Sequence, residues 1–445
     1  MPRDRKIGPA LATVLVANNM IGSGIFLLPA SLAAVGSMTV IAWAVGLAGA
    51  LLVAAVFARL GQAAPEAGGP CAYAGVAFGP YIGFQADVIY WLAGWIGTAA
   101  IALTAVGYLA SFVPALAAPP ARAAAAVVTI WALTLINILG PRLVCQLNSL
   151  MLVAGLLPIA VVATLGWWHF DPEIFRASWN VTHQPARATL PGALALVFWA
   201  FLGLESASVA SGVVADPRRN VPIATVCGVL IAGVVYFASS AAIMGIVPAQ
   251  ALARSTAPFA DAVRAMVGPT AASIVGLMAL AKALSTLGGW ILLLGQIGKS
   301  AAERRHLPSF LARTDRHGVP VANLLLSALL MSIVVLATSS PTLGEQFDQI
   351  ATVSVDLCLL LYVYACGATW HYAAASPNDA SLRRYRVLAV GAIVFCLAVM
   401  ALSGTGVLVP ALALALGTVP LYALVRRPNA GRRDLQWIGR SNSRQ

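Results

Sequence analysis

Four residues able to carry charge lie deep in apolar stretches of this chain: Asp87, Glu205, Lys282 and Asp356. An unpaired charge at the centre of a bilayer costs about 3 kcal/mol or more, so such residues persist where they bind, pair or move protons. Glu205 is the strongest of them, because it sits in Trp199-Ala200-Phe201-Leu202-Gly203-Leu204-Glu205-Ser206-Ala207-Ser208, where an apolar run is broken by small and polar residues. Desolvation favours the neutral form of a carboxyl, so Glu205 is placed to exchange a proton as its surroundings change. The competing role is a hydrogen-bonded carboxyl that braces unwound backbone. Lys282 and Asp356 fit an intramembrane ion pair, the arrangement in which two charges tolerate burial together. Asp87 lies near the start of its apolar stretch, where a solvated vestibule accounts for it.

A second interruption stands near the start of the chain, at Gly22-Ser23-Gly24 between Asn18-Asn19-Met20-Ile21 and Ile25-Phe26-Leu27-Leu28-Pro29. Two glycines weaken helix, and in hydrocarbon the freed backbone groups must find protein, water or a ligand as partner. A half-helix restarting near Ile25 offers bare N–H groups and the positive end of its dipole, which suits a carboxylate. The plainer reading of such a glycine pair is a small-residue packing seam between helices.

The elements that hold these residues follow from composition. Of 445 residues, 60% are hydrophobic and 9% charged, against about a quarter charged in soluble domains. The chain is therefore an all-α polytopic membrane protein, and at ~20 residues per crossing it holds about twelve transmembrane helices. The expected spans are 7–34 (broken), 38–61, 82–112, 122–140, 143–168, 190–214 (broken), 222–247, 269–299, 320–339, 348–372, 384–404 and 406–425. Together they make one transporter-sized membrane domain over 1–425, with spans one to six in 7–214 and spans seven to twelve in 222–425, followed by a basic tail at 426–445.

An even number of spans puts both termini on one side. With that side taken as cytoplasmic, Arg122, Arg176, Arg187, Arg254 and Arg264 fall outside, Lys282 is inside a span, and the rest of the 27 Lys and Arg residues fall on the inner side, as the positive-inside rule requires. The formal charge of +12 is thereby explained by topology and calls for no nucleic acid. Six scattered cysteines and five histidines at loops or span ends show no metal-ligand spacing, so no metal or cofactor is expected. An embedded enzyme or receptor is the competing class, but the chain shows neither H-E-x-x-H nor clustered intramembrane histidines.

The two interrupted spans are numbers one and six, five apart. If spans one to five and six to ten are inverted repeats, both breaks face the midplane and form a transporter's binding site. Aromatic residues near these positions include Phe26, Tyr90, Trp91, Trp95, Trp199, Phe201, Trp290 and Tyr362; such a lining suits an organic cation with an aliphatic stem. In a transporter Lys282 has a further reading, as a fixed replacement for a coupling cation.

At Asn19 through Pro29, at Trp199 through Val221 and at Leu287-Gly288-Gly289-Trp290, the chain resembles the bacterial basic amino acid/polyamine antiporters of the amino acid–polyamine–organocation superfamily, most closely the arginine/agmatine antiporters. The resemblance implies a leucine-transporter-like 5+5 inverted repeat with helices 1 and 6 broken, and a homodimer in the bacterial inner membrane. It also implies exchange of external arginine for internal agmatine by alternating access, in support of acid resistance. The binding residues it implies are Asn19, Ile21, Ser23, Gly24, Ala93, Gly94, Thr98, Trp199, Leu202, Trp290 and Ser354. Tyr90, Phe201, Glu205 and Tyr362 would gate the site or sense protons. Thr98 replaces the family's asparagine near the guanidinium, Gly94 a cysteine, Ile101 a methionine and Cys71 a gate tyrosine. These departures keep ornithine/putrescine exchange, lysine/cadaverine exchange and proton-coupled symport open as alternatives.

Overall fold

The computed structural model describes residues 7–22, 24–64, 69–209, 214–375 and 380–425. Ser23, residues 65–68 and the tail Arg426–Gln445 lie outside these. The described chain is helical, apart from one isolated bridge between Ile7 and Val214.

The first span is split into α1 (Pro9–Met20) and α2 (Leu28–Ala33), with a 3-10 turn at Gly24–Phe26 between them. After α3 (Val40–Ala63) comes a short helix, α4 (Pro70–Phe78), and then α5 (Pro80–Ala110). The connection between α3 and α5 thus contains a helix folded back on α5 where Gly75 and Gly83 meet. Next are α6 (Pro119–Leu139), α7 (Pro141–Leu165) and, in the following loop, α8 (Pro172–Ala177). The second split span consists of α9 (Ala186–Trp199) and α10 (Ser206–Val209), followed by α11 (Pro217–Ile246). The loop at 248–268 carries α12 (Ala249–Leu252) and α13 (Pro258–Val267). The chain ends with α14 (Pro269–Glu303), α15 (Val321–Ala337), α16 (Leu343–Gly367), α17 (Thr369–Ala375), α18 (Ala380–Leu402) and α19 (Thr405–Val425).

Eight helices among the described residues are long and apolar enough to cross a membrane. The two split spans, α7 and α15 supply the other crossings of a twelve-span chain. Proline opens many of these elements, among them α1, α5, α6, α7, α11 and α14. At the first helical turn its missing N–H costs nothing, because that group has no intrahelical acceptor anyway.

α5 is the most enclosed of these eight long helices and packs against both α14 and α16. The split first span leans on α11, where Gly228 accepts the Val16 side chain; a Cβ at Gly228 would sit 2.7 Å from it. Small residues permit this close approach where lipid gives no hydrophobic drive to helix association. Ala215 N–H bonds the Ile7 carbonyl at 2.9 Å, so the start of the first span and the end of the sixth share one face of the molecule.

Gly203 has φ +99°, and a Cβ there would lie 3.3 Å from the Asn19 carbonyl oxygen. Gly203→Ala is expected to cost roughly 1–3 kcal/mol, as for other non-glycine residues forced to positive φ. Gly192→Ala, in a helix with nothing within 4 Å, should leave the thermal midpoint in detergent unchanged or higher. Equal midpoints for the two variants would remove the strain argument.

Candidate functional site

The two breaks meet at the centre. The α1 ladder closes with Ile21 N–H on the Ala17 carbonyl at 2.7 Å, and Gly22 N–H turns back to the Met20 carbonyl at 2.6 Å. In the partner span, Ala200, Phe201 and Leu202 donate three residues back instead of four, and helix resumes at Ser206. The Gly203 carbonyl accepts both the Ser206 N–H, at 3.0 Å, and the Ser206 hydroxyl. The backbone groups released by unwinding are thus recaptured locally, as a low-dielectric setting demands.

Beside the contact lies a central cavity of about 60 Å³. Its wall includes the expected residues Asn19, Gly24, Ala93, Gly94, Thr98, Trp199, Leu202, Trp290 and Ser354, together with Tyr90 and Glu205. A side chain at Gly24 would collide with the Trp199 indole, and one at Gly97 would come within 2.8 Å of the same ring. Trp199 therefore fills two glycine notches at once, one on each side of the cavity. Its outer flank meets Phe347 edge to face, with centroids 6.1 Å apart. Phe347 stands in the first turns of α16, and sequence reasoning missed it. Gly97 and Cys358, also missed, follow from positions already marked: Gly97 is one turn beyond Gly94, and Cys358 is one turn beyond Ser354.

Two hydroxyls in the wall have their protons committed. Thr98 donates to the Gly94 carbonyl at 2.7 Å, and Ser354 donates to the Ala93 carbonyl at 2.8 Å, joining α16 to α5. Each hydroxyl oxygen is left with acceptor capacity only.

Glu205 is 3% exposed and held from two sides. Tyr90 donates to its Oε1 at 3.2 Å and Tyr362 to its Oε2 at 2.6 Å, so the carboxyl ties the broken span to α5 and α16. Tyr362 is fully buried and does not border the cavity; Phe57 packs against its ring at 5.2 Å.

Several expectations are corrected. Lys282 and Asp356 do not pair: the Lys282 ammonium donates to Asn18 Oδ1 at 3.2 Å, whereas Asp356 accepts from the Ser403 hydroxyl at 2.8 Å. Ser354 and Cys358 line the cavity while Asp356, between them on α16, turns to Ser403 just beyond α18. Phe201 does not cover the cavity; it is fully buried against Trp43 and Tyr236. Ile21 is also buried away from the lining. Asp87 faces no vestibule, since it is 5% exposed and gripped by Arg304 Nε and Nη2, both at 2.8 Å, and by His306 Nδ1 at 2.6 Å. His306, assigned no role from the sequence, has one. Ser23 lies outside the described residues.

A second chamber of about 270 Å³ adjoins the first and shares Asn19, Tyr90, Gly203, Glu205, Thr286 and Trp290 with it. It extends along Leu15, Val209, Leu293 and Ile297, toward the face that carries Ile7 and Val214. Val209 and Leu293 in its wall are 47% and 41% exposed, whereas Trp199 and Phe347 are buried against each other.

A family model described as amino acid permease matches residues 7–424. The cadaverine/lysine antiporter of Escherichia coli (strain K12) is 38% identical over 371 residues, which cover 82% of this chain and 83% of the relative. The putrescine transporter PotE of the same strain is 34% identical over 366 residues, with 82% and 83% coverage. The PotE of Haemophilus influenzae is 33% identical over 367 residues, with 82% and 84% coverage.

Hydrogen bonds to a charged acceptor contribute roughly 1.5–3 kcal/mol. Tyr362→Phe is therefore expected to lower stability in detergent by that amount, and Tyr90→Phe, which loses a longer bond, by less. The reverse order in thermal unfolding would show that the Tyr90 contact is the stronger tie.

Proposed function

Since this chain belongs to the amino acid permease family of the amino acid–polyamine–organocation superfamily, a family of transporters rather than enzymes, we propose that it exchanges a cationic amino acid for its decarboxylated amine, with lysine and cadaverine as the pair. The observation that carries the choice is the wall around Thr98 and Ser354, whose hydroxyls present acceptors only. A primary ammonium is a compact group with three donors, and acceptor oxygens without competing donors suit it. A guanidinium is a planar fork that gains most from a bidentate acceptor, and Thr98 lacks the planar amide that such a fork would face. The 38% identity to a cadaverine/lysine antiporter supports the same pair, ahead of the arginine/agmatine exchange implied by the sequence resemblance.

In this reading the α-carboxylate lies at Asn19, Ser23 and Gly24, where the second half of the first span begins. The α-ammonium meets backbone acceptors near Trp199 and Leu202. The aliphatic stem runs along Trp290, and the distal ammonium reaches Thr98 and Ser354. Cadaverine lacks the carboxylate but keeps the stem and the distal group, so one site takes both ligands in turn. Lysine enters with one net positive charge and cadaverine leaves with two; each cycle moves one positive charge outward, and decarboxylation consumes a proton in the cell. This links the exchange to acid resistance.

Alternating access is the mechanism in this reading, and the Trp199–Phe347 contact on one side of the cavity with the larger chamber toward Ile7 on the other supports it. We place the protein in the bacterial inner membrane with that side and both termini cytoplasmic, because the basic residues concentrate there. Glu205, tied to α5 and α16 through Tyr90 and Tyr362, is the joint at which the broken span couples to its neighbours.

Counterflow in proteoliposomes tests the pair. Labelled lysine should enter only when lysine or cadaverine is trapped inside; uptake into empty vesicles driven by a proton gradient would overturn antiport. Preference for ornithine with putrescine, or arginine with agmatine, would reassign the pair. Thr98→Asn should shift the ratio of arginine to lysine binding upward, read by calorimetry, and an unmoved ratio would exclude Thr98 from selectivity. Trp290→Ala should weaken both ligands by about tenfold or more, as for loss of an aromatic stacking surface.

A further inference from the structure

The central cavity leaves two polar groups of α14 unused. Lys282, Thr286 and Trp290 follow at one-turn spacing and share one face of the helix, which forms a wall of the larger chamber. Lys282 is 2% exposed, and its stem lies in a notch at Gly155 of α7, where any Cβ would overlap the lysine Cγ and Cδ. Its ammonium donates to Asn18 Oδ1, a neutral acceptor. Among the described residues Lys282 takes part in no ion pair. One turn further on, Thr286 borders both the chamber and the central cavity, and its hydroxyl is buried with no hydrogen-bond partner among the described residues. A buried polar group of this kind costs free energy unless something binds it.

We infer that the chamber is a second station for the amino acid substrate, where the Lys282 ammonium and the Thr286 hydroxyl receive its α-carboxylate between the central cavity and the face of Ile7. The inference rests on the proposed exchange of an amino acid for an amine. Glu205, the acid in this wall, is engaged by Tyr90 and Tyr362, so a substrate carboxylate supplies what Lys282 and Thr286 are without, a negative charge at the ammonium and an acceptor for the Thr286 proton. The diamine carries no such group, and its ammonium ends are repelled by Lys282. The chamber therefore separates the two exchange partners by the one group in which they differ. The central cavity, by contrast, holds both ligands by the stem and distal ammonium that they share, whatever further contacts the amino acid makes there.

The test uses full-length protein in proteoliposomes of defined sidedness, with lysine and cadaverine homoexchange measured separately from each face. Lys282→Met keeps the length of the side chain without its charge. On the face of Ile7 it is expected to raise KM for lysine about tenfold, the scale of one charge-assisted hydrogen bond, with KM for cadaverine unchanged or lower. Thr286→Val, which keeps shape and charge, should raise lysine KM about threefold there and leave cadaverine alone. If Lys282→Met fails to fold, the Thr286→Val split decides the matter by itself. Equal shifts for both ligands, or no shift for lysine, overturn the station. Should the wild type exchange arginine and agmatine instead, the lysine/cadaverine pair fails, and the same comparison made with arginine and agmatine still decides the station.

Discussion

A backbone amide cannot be left unpaired in hydrocarbon, and the architecture depends on how two exceptions to that rule are managed. α1 and α9 both stop inside an apolar span, each loose end turns back on its own segment, and the two breaks approach closely, with Gly203 against the Asn19 carbonyl. The paired interruptions give the protein something a continuous helix lacks: backbone polar groups at the centre of a bilayer, in a cavity that a ligand can enter. α5 and α16 then act as walls, because the side chains that reach the breaks come from them: Tyr90, Thr98, Ser354 and Tyr362.

Much of this was legible in the sequence because it depends on local chain properties. Glycine pairs mark where helix fails, apolar length marks a crossing, and the equal spacing of the two breaks marks them as counterparts. The Glu205 position and its tyrosine neighbours were recognisable for the same reason, through short matching stretches. The errors arose where direction around a helix decides the outcome. Asp356 belongs to the helix that lines the cavity, yet its side chain leaves the opposite flank toward Ser403, so pairing it with Lys282 from spacing alone could not work. Phe201 shares a stretch with Trp199, but the unwound turn after Trp199 rotates it into the core beside Trp43. His306 lies beyond α14, and only the return of that helix toward the foot of α5 brings it to Asp87.

The charges divide into two kinds. Asp87, Arg304 and His306 are fully matched and fasten the ends of α5 and α14 to each other. Glu205, Asp356 and Lys282 are met by neutral partners, hydroxyls for the two carboxyls and an amide for the lysine, and of these Glu205 and Lys282 line the larger chamber. Charge without a counter-charge is costly inside a membrane, and these two stand beside the chambers through which cationic ligands would move.

The Trp199 indole occupies the notches at Gly24 and Gly97 together. A ring seated in a single recess could slide out by degrees, with neighbouring atoms following it. Seated in two recesses on separate helices, it vacates both at once, and each empty notch is too small to be filled by a slight shift of its surroundings. The indole is therefore a shared key between the first span and α5, and any motion of it is felt by both elements together.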